Sequence, residues 1–114
     1  MKPTDLSELK SNAAHMAGRL KVMSHPERLL MLCRMAEGEV SVNELVAMTG
    51  LSQSAVSQHL AMLRAEDVVN VRIDAQVRWY SLKDDVVSGL IQAMWALCDA
   101  GVVGGRPKSV ESLG

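Results

Sequence analysis

Two thiols and three imidazoles are the groups best equipped for chemistry in this chain, and their spacing decides what chemistry is open to them. Cys33 and Cys98 lie far apart and form no Cys-x-x-Cys pair, so neither a zinc ribbon nor a secreted disulfide framework is indicated. Each falls on an apolar stripe, and from spacing alone each reads as a small core hydrophobe. The eight methionines read as core filler and dimer-face packing rather than as a metal box. His15, His25 and His59 have no cysteine or carboxylate at a familiar ligand spacing, so no metal is expected. Ser57 and His59 stand two apart on a predicted helix and point in different directions, which removes them as nucleophile and base. With no acid/base pair and no cofactor loop, neither an enzyme nor a cofactor is expected.

A second set of residues has the types and spacing to read nucleic acid. Ser52, Gln53, Ser54, Ser57 and Gln58 put short polar side chains near one helix start, the end that enters a major groove in helix-turn-helix proteins. Ser52 also caps that helix, whose amides suit a phosphate. Arg64 lies further along the same helix, and His59 is a candidate phosphate contact. Arg72 and Arg78 flank a short loop that includes Gln76, from which a cation reaches backbone or minor groove. Lys83 is a further candidate, although Glu66, Asp67 and Asp74 offset part of that charge. The net charge of −1 gives no general attraction for a polyanion, so DNA binding has to come from local geometry.

The elements that must position these groups follow from periodicity and caps. A chain of 114 residues, 48% hydrophobic with 3% aromatic, supports one domain with a mainly aliphatic helical core. Leu6, Leu9, Ala13, Met16, Leu20 and Met23 form the seam of a first helix, started by Asp5 and Glu8 and suited to a dimer interface. Ser24-His25-Pro26-Glu27 resembles a capping box opening a second helix through Ala36, stopped by Gly38. Ser41-Val42-Asn43-Glu44 opens a short third helix closed by Gly50. Ser52 opens a fourth, with Val56, Leu60 and Leu63 on its apolar stripe. Residues 69–73 and 77–81 alternate at period two around Asp74-Ala75-Gln76, as a hairpin does. A last helix follows Lys83-Asp84-Asp85, with Val87, Ile91, Met94 and Cys98 on one stripe. The expected domain spans 1–100, with 101–114 read as a disordered tail. No apolar run has the length of a signal or membrane segment, so a cytoplasmic protein without a membrane partner is expected.

The fold class that emerges is mainly α with a small β-hairpin: a winged helix-turn-helix of about five helices. A short capped helix, a glycine turn, a polar-faced helix and an Arg-flanked hairpin form a specific succession, which favours DNA binding over a merely solvated face.

Ser24-His25-Pro26-Glu27-Arg28-Leu29 and Leu51-Ser52-Gln53-Ser54-Ala55-Val56-Ser57-Gln58-His59-Leu60 together resemble the ArsR-type family of winged-helix repressors. The resemblance implies a homodimer joined through first and last helices, binding an imperfect inverted repeat in double-stranded DNA. Metal sensors of that family carry Cys-x-Cys at the start of the short helix, or Asp and His on the last helix. Here the first place reads Ser41-Val42-Asn43-Glu44-Leu45 and the last helix has no His. Cys33 and Cys98 instead resemble the cysteine pair of the BigR, SqrR and YgaV-like branch. That likeness implies redox sensing of a persulfide or polysulfide inducer, with a bridge that lowers operator affinity. A general thiol-oxidation switch, inert cysteines on the same fold, and a helical protein-association module without DNA binding stand as alternatives.

Overall fold

The computed structural model describes residues 5–103, in the order α1 (Leu6–Met23), α2 (Pro26–Ala36), β1 (Val40–Ser41), α3 (Val42–Thr49), α4 (Gln53–Ala65), β2 (Val69–Asp74), β3 (Val77–Leu82) and α5 (Asp85–Asp99). Five helices surround a three-stranded antiparallel sheet of order β1-β3-β2. Strand β1 is an addition to the expected hairpin. Its two residues, Val40 opposite Tyr80 and Ser41 opposite Trp79, are too few to leave a periodic signal.

The caps explain most helix boundaries. The Asp5 carboxylate accepts from the Glu8 amide at 2.7 Å, and Ser41 with Glu44 closes a reciprocal capping box on α3. The start of α2 differs from expectation: His25, not Ser24, is its N-cap, with Nδ1 accepting from the Glu27 amide at 3.1 Å. Ser24 ends α1 instead, its hydroxyl donating to the Lys21 carbonyl at 2.8 Å. With Pro26 fixed at the first helical position, the residue just before it becomes the cap.

Helix ends use left-handed residues. Gly50 closes α3 at φ +75°, and Asp67 takes the same role after α4 at φ +58°. Gly101 (φ +77°) and Val102 return amide bonds to the carbonyls of Cys98 and Leu97, so the expected tail begins as an ordered helix stop. The rest of that tail, from residue 104, lies outside the described residues. A Cβ on Gly50 would meet no atom within 4 Å, so Gly50→Ala tests backbone strain alone. The expected loss is about 1 kcal/mol, or a fall in Tm of roughly 4–8 °C in a thermal melt.

The wing turn is tighter than the sequence suggests. Asp74 pairs with Val77, leaving only Ala75 and Gln76, at φ +49° and +73°, to reverse the chain. Two positive φ values match the right-handed twist of the flanking strands, yet neither residue is the Gly or Asn that normally announces such a turn.

The core runs through all layers: Met31, Leu32 and Met35 of α2, Leu45 of α3, Val56, Leu60 and Leu63 of α4, and Val87 and Ile91 of α5 are almost wholly buried. Each such side chain contributes about 1.5–3 kcal/mol relative to exposure. Helix α1 buries only Val22, while Leu6, Leu9 and Leu20 of its seam remain at least half exposed. An apolar stripe that faces water along about four helical turns is an incomplete surface for an isolated chain.

Candidate nucleic-acid interface and thiol pair

Helix α4 is held from beneath by Val56, Leu60 and Leu63 and turns Gln53, Ser54, Ser57, Gln58 and Arg64 to solvent. The Ser52 hydroxyl accepts from the Ala55 amide at 3.1 Å, while the first amides of a helix have no acceptor within it. Helices α1, α2, α3 and α5 each place an acid in the first turn; α4 places none. Its positive dipole end is therefore left unneutralised beside the exposed Ser52.

A cleft of about 320 Å³ between this helix and β3 is lined by Gln53, Ser57, Arg64, Arg78 and Tyr80, among others. A second cleft of about 260 Å³ continues toward the wing tip, where Ser41, Asn43 and Gln76 join Gln53 and Arg78. The structure thus brings five of the predicted contacts, Gln53, Ser57, Arg64, Gln76 and Arg78, around these two clefts, with Arg78 in both, while Ser52, Ser54 and Gln58 are exposed at the start of the same helix outside the cleft linings.

Two predicted residues sit apart from that surface. His59 is half-buried on the opposite flank of α4, its ring centroid 4.8 Å from that of His25. Burial holds its pKa below the ordinary imidazole value, reinforced by His25 and Arg28 and opposed by Glu27. Arg72 differs more sharply. Pairing of Arg72 with Trp79 and of Ile73 with Arg78 places the two arginines on opposite faces of the ribbon. Arg78 shares the face of Tyr80 and looks into the cleft, whereas Arg72 donates to both oxygens of Glu39 at 2.8 and 2.9 Å and approaches Asp74 at 3.5 Å. Their symmetrical positions about the loop hid this difference, because a strand alternates sides at every residue and the loop proved to be two residues long. Lys83, read as another phosphate contact, is paired with Asp67 at 2.6 Å.

The cysteines lie on two helices that pack together, Cys33 on α2 and Cys98 on α5. Both are free and buried, at 7% and 9% exposure. Burial pushes the Cys33 thiol up to about 11, and the nearby charges of Glu37 and Cys98 add to the rise. Trp95, one helical turn before Cys98, opposes it by hydrogen bonding to the Cys33 sulfur. Spacing alone suggested two unrelated core residues; the structure keeps them in the core but within each other's electrostatic field. Sequence reasoning missed Trp95, although its three-residue offset from Cys98 put both on one side of α5. Glu37 and Glu39 left no such signal. Among the described residues, no cluster of three or more His, Cys, Asp or Glu is arranged to hold a metal, and no helix is long and apolar enough to cross a membrane.

Comparison with known proteins agrees with this architecture. Residues 25–71 match the model of the bacterial regulatory protein arsR family. The chain is 44% identical over 92 residues to the HTH-type transcriptional regulator YgaV of Escherichia coli K12, covering 80% of this chain and 93% of that protein. The crystal structure of the transcriptional regulator HlyU from Vibrio vulnificus superposes with a TM-score of 0.77 at 40% identity, over 82% of this chain and 98% of that one. That of the transcriptional repressor BigR from Xylella fastidiosa gives 0.75 at 32% identity, over 82% and 96%.

Proposed function

This chain belongs to the arsR family of bacterial regulatory proteins, and on that premise we propose that it is a dimeric cytoplasmic repressor whose operator binding is relieved when reactive sulfur bridges Cys33 and Cys98. Its place as a DNA-binding transcriptional regulator rather than an enzyme follows from the family and fold. The repressor sense is supported by the likeness to BigR, named a transcriptional repressor. The dimer is supported by the exposed seam of α1, which packs on α5 within the chain. Two-fold symmetry would then present two copies of α4, about 34 Å apart, to successive major grooves.

The observation on which the sensing rests is that Cys33 and Cys98, both free and buried, lie on the packed helices α2 and α5 close enough for the charge of one to raise the pKa of the other. An organic tetrasulfide, RSSSSR, supplies the oxidising equivalents. One cysteine thiolate attacks an inner sulfur, forming Cys–S–S–SR and releasing RSS⁻. The second attacks the inserted sulfur and releases RS⁻, leaving Cys–S–S–S–Cys; both cysteine protons end on the released thiol and persulfide. The inserted atom lengthens the span beyond that of a direct disulfide, which needs Cα atoms within about 7 Å. A bridge ties α2 to α5 and biases the dimer packing that sets the spacing of the two α4 helices.

Gel shifts on an operator recovered from the organism's own genome test this with four samples: reduced, tetrasulfide-treated, Cys33→Ser and Cys98→Ser. Treatment is expected to weaken wild-type binding by roughly 5- to 150-fold and to leave both serine variants unaffected. The treated protein should gain one sulfur and lose two hydrogens by mass. Equal binding in all samples removes the sensing claim. That outcome would favour a second reading, in which the burial and high pKa of Cys33 mark an inert core pair.

A further inference from the structure

Glu39 lies between α2 and β1 and grips the guanidinium of Arg72 through both carboxylate oxygens, at 2.8 and 2.9 Å. Two parallel N–H···O bonds to a planar anion are the geometry that Arg also offers a phosphate. The loop bearing Glu39 is itself fixed, because the buried Arg34 donates to the carbonyls of Gly38 and Glu39, each at 3.4 Å, and to Glu44 of the α3 capping box at 3.5 Å. The Glu39 and Arg72 side chains are open to water, at 41% and 53% exposure. Exchange of one anion for another there needs no rearrangement of the core, and an exposed pair of this kind is cheap to open.

We propose that Glu39 is a built-in competitor for DNA phosphate, occupying in the free protein the phosphate-binding site that Arg72 offers at the base of the wing. The inference rests on the DNA-binding reading above and adds a residue that sets affinity without touching a base. Asp74, 3.5 Å from Arg72 on the wing side, is the second anion that the guanidinium must leave or share. The charge ledger makes the device consequential. In a chain of net charge −1, Arg72 and Lys83 are occupied by carboxylates, so Arg64 and Arg78 are the cations that line the cleft beside α4. Releasing Arg72 adds one more free cation per protomer, on the face of the wing ribbon opposite Arg78 and outside that cleft.

Glu39→Gln keeps the size and removes the charge. Its binding to a labelled random-sequence duplex and to the genomic operator should tighten by about twofold to fivefold at low salt. The gain should be equal on both duplexes, because a phosphate contact holds no sequence information. The plot of log affinity against log salt should steepen by about 0.9 for each added contact. Adding Arg72→Ala to Glu39→Gln should return both values to wild type. Thermal melts and circular dichroism confirm that the exposed variants fold. A Glu39→Gln protein with unchanged slope, or with weaker binding that Arg72→Ala does not alter, overturns the inference while wild-type binding stands. Failure of wild type and variants alike to retain any duplex at low salt overturns the DNA-binding reading and this inference with it.

Discussion

Replacing Leu9 and Leu20 together with Glu is expected to leave the protein monomeric at micromolar concentration and to weaken operator binding by more than about a hundredfold at physiological salt. Both residues belong to the apolar seam of α1 and are 50% and 51% exposed in the single chain, so charging them removes little packing from the protomer. In the proposed dimer the same carboxylates would be buried against apolar neighbours, or would face each other across the two-fold axis, and either cost falls on association. Without a partner, one α4 reads one half-site. The second recognition helix contributes its base contacts only because the dimer already holds it in place, and that contribution vanishes on dissociation. Analytical ultracentrifugation reports the association state, and a parallel gel shift reports binding. A variant that stays dimeric moves the interface away from α1.

The second large effect concerns Cys33. Alkylation by iodoacetamide, followed at this residue by mass spectrometry of the native protein, should accelerate about tenfold per pH unit from pH 7 to pH 10, because only the thiolate reacts. No plateau should appear until the pH approaches about 11, to which burial, Glu37 and Cys98 raise the group from its ordinary 9.0. An exposed thiol levels off two units earlier. Glu37→Gln removes one of the raising charges and should speed the reaction at pH 8. The linkage has a definite sign: the folded protein holds the Cys33 proton more tightly than the unfolded chain. The stability this confers is complete below pH 9 and is lost as pH rises from 9 through 11. A rate that levels off near pH 9 would show that the thiol is open to solvent. The same high pKa keeps Cys33 quiet toward weak electrophiles, while the small thiolate fraction that does form is intrinsically a strong nucleophile.

His59 shows how a residue in the right motif can face the wrong way for the role first given to it. It lies on the helix that carries the polar face, and its chemistry suits phosphate. Yet with about 100° between successive residues, position 59 falls on the far flank from Gln53, Ser57 and Arg64. There it meets His25, the cap of α2. Arg72 and Arg78 give the parallel lesson for a strand. Both were legible as wing cations, but the side each takes depends on the register, which two residues with positive φ in the turn define.

The amino-acid order by itself determined the helices, the αL stop at Gly50, the Ser41–Glu44 capping box, the polar face of α4, the hairpin and, through two linked motifs, the family. These are local matters: caps, periodicity and turns depend on neighbours within about four residues, so the chain states them directly. Only the tertiary structure decided which charges are already paired, that Glu39 holds Arg72, that α1 leaves its seam uncovered, and that Cys33 and Cys98, 65 positions apart, share one field. Those depend on which surfaces meet when distant segments pack, and both Coulomb interaction and desolvation follow distance and burial in space rather than order along the chain.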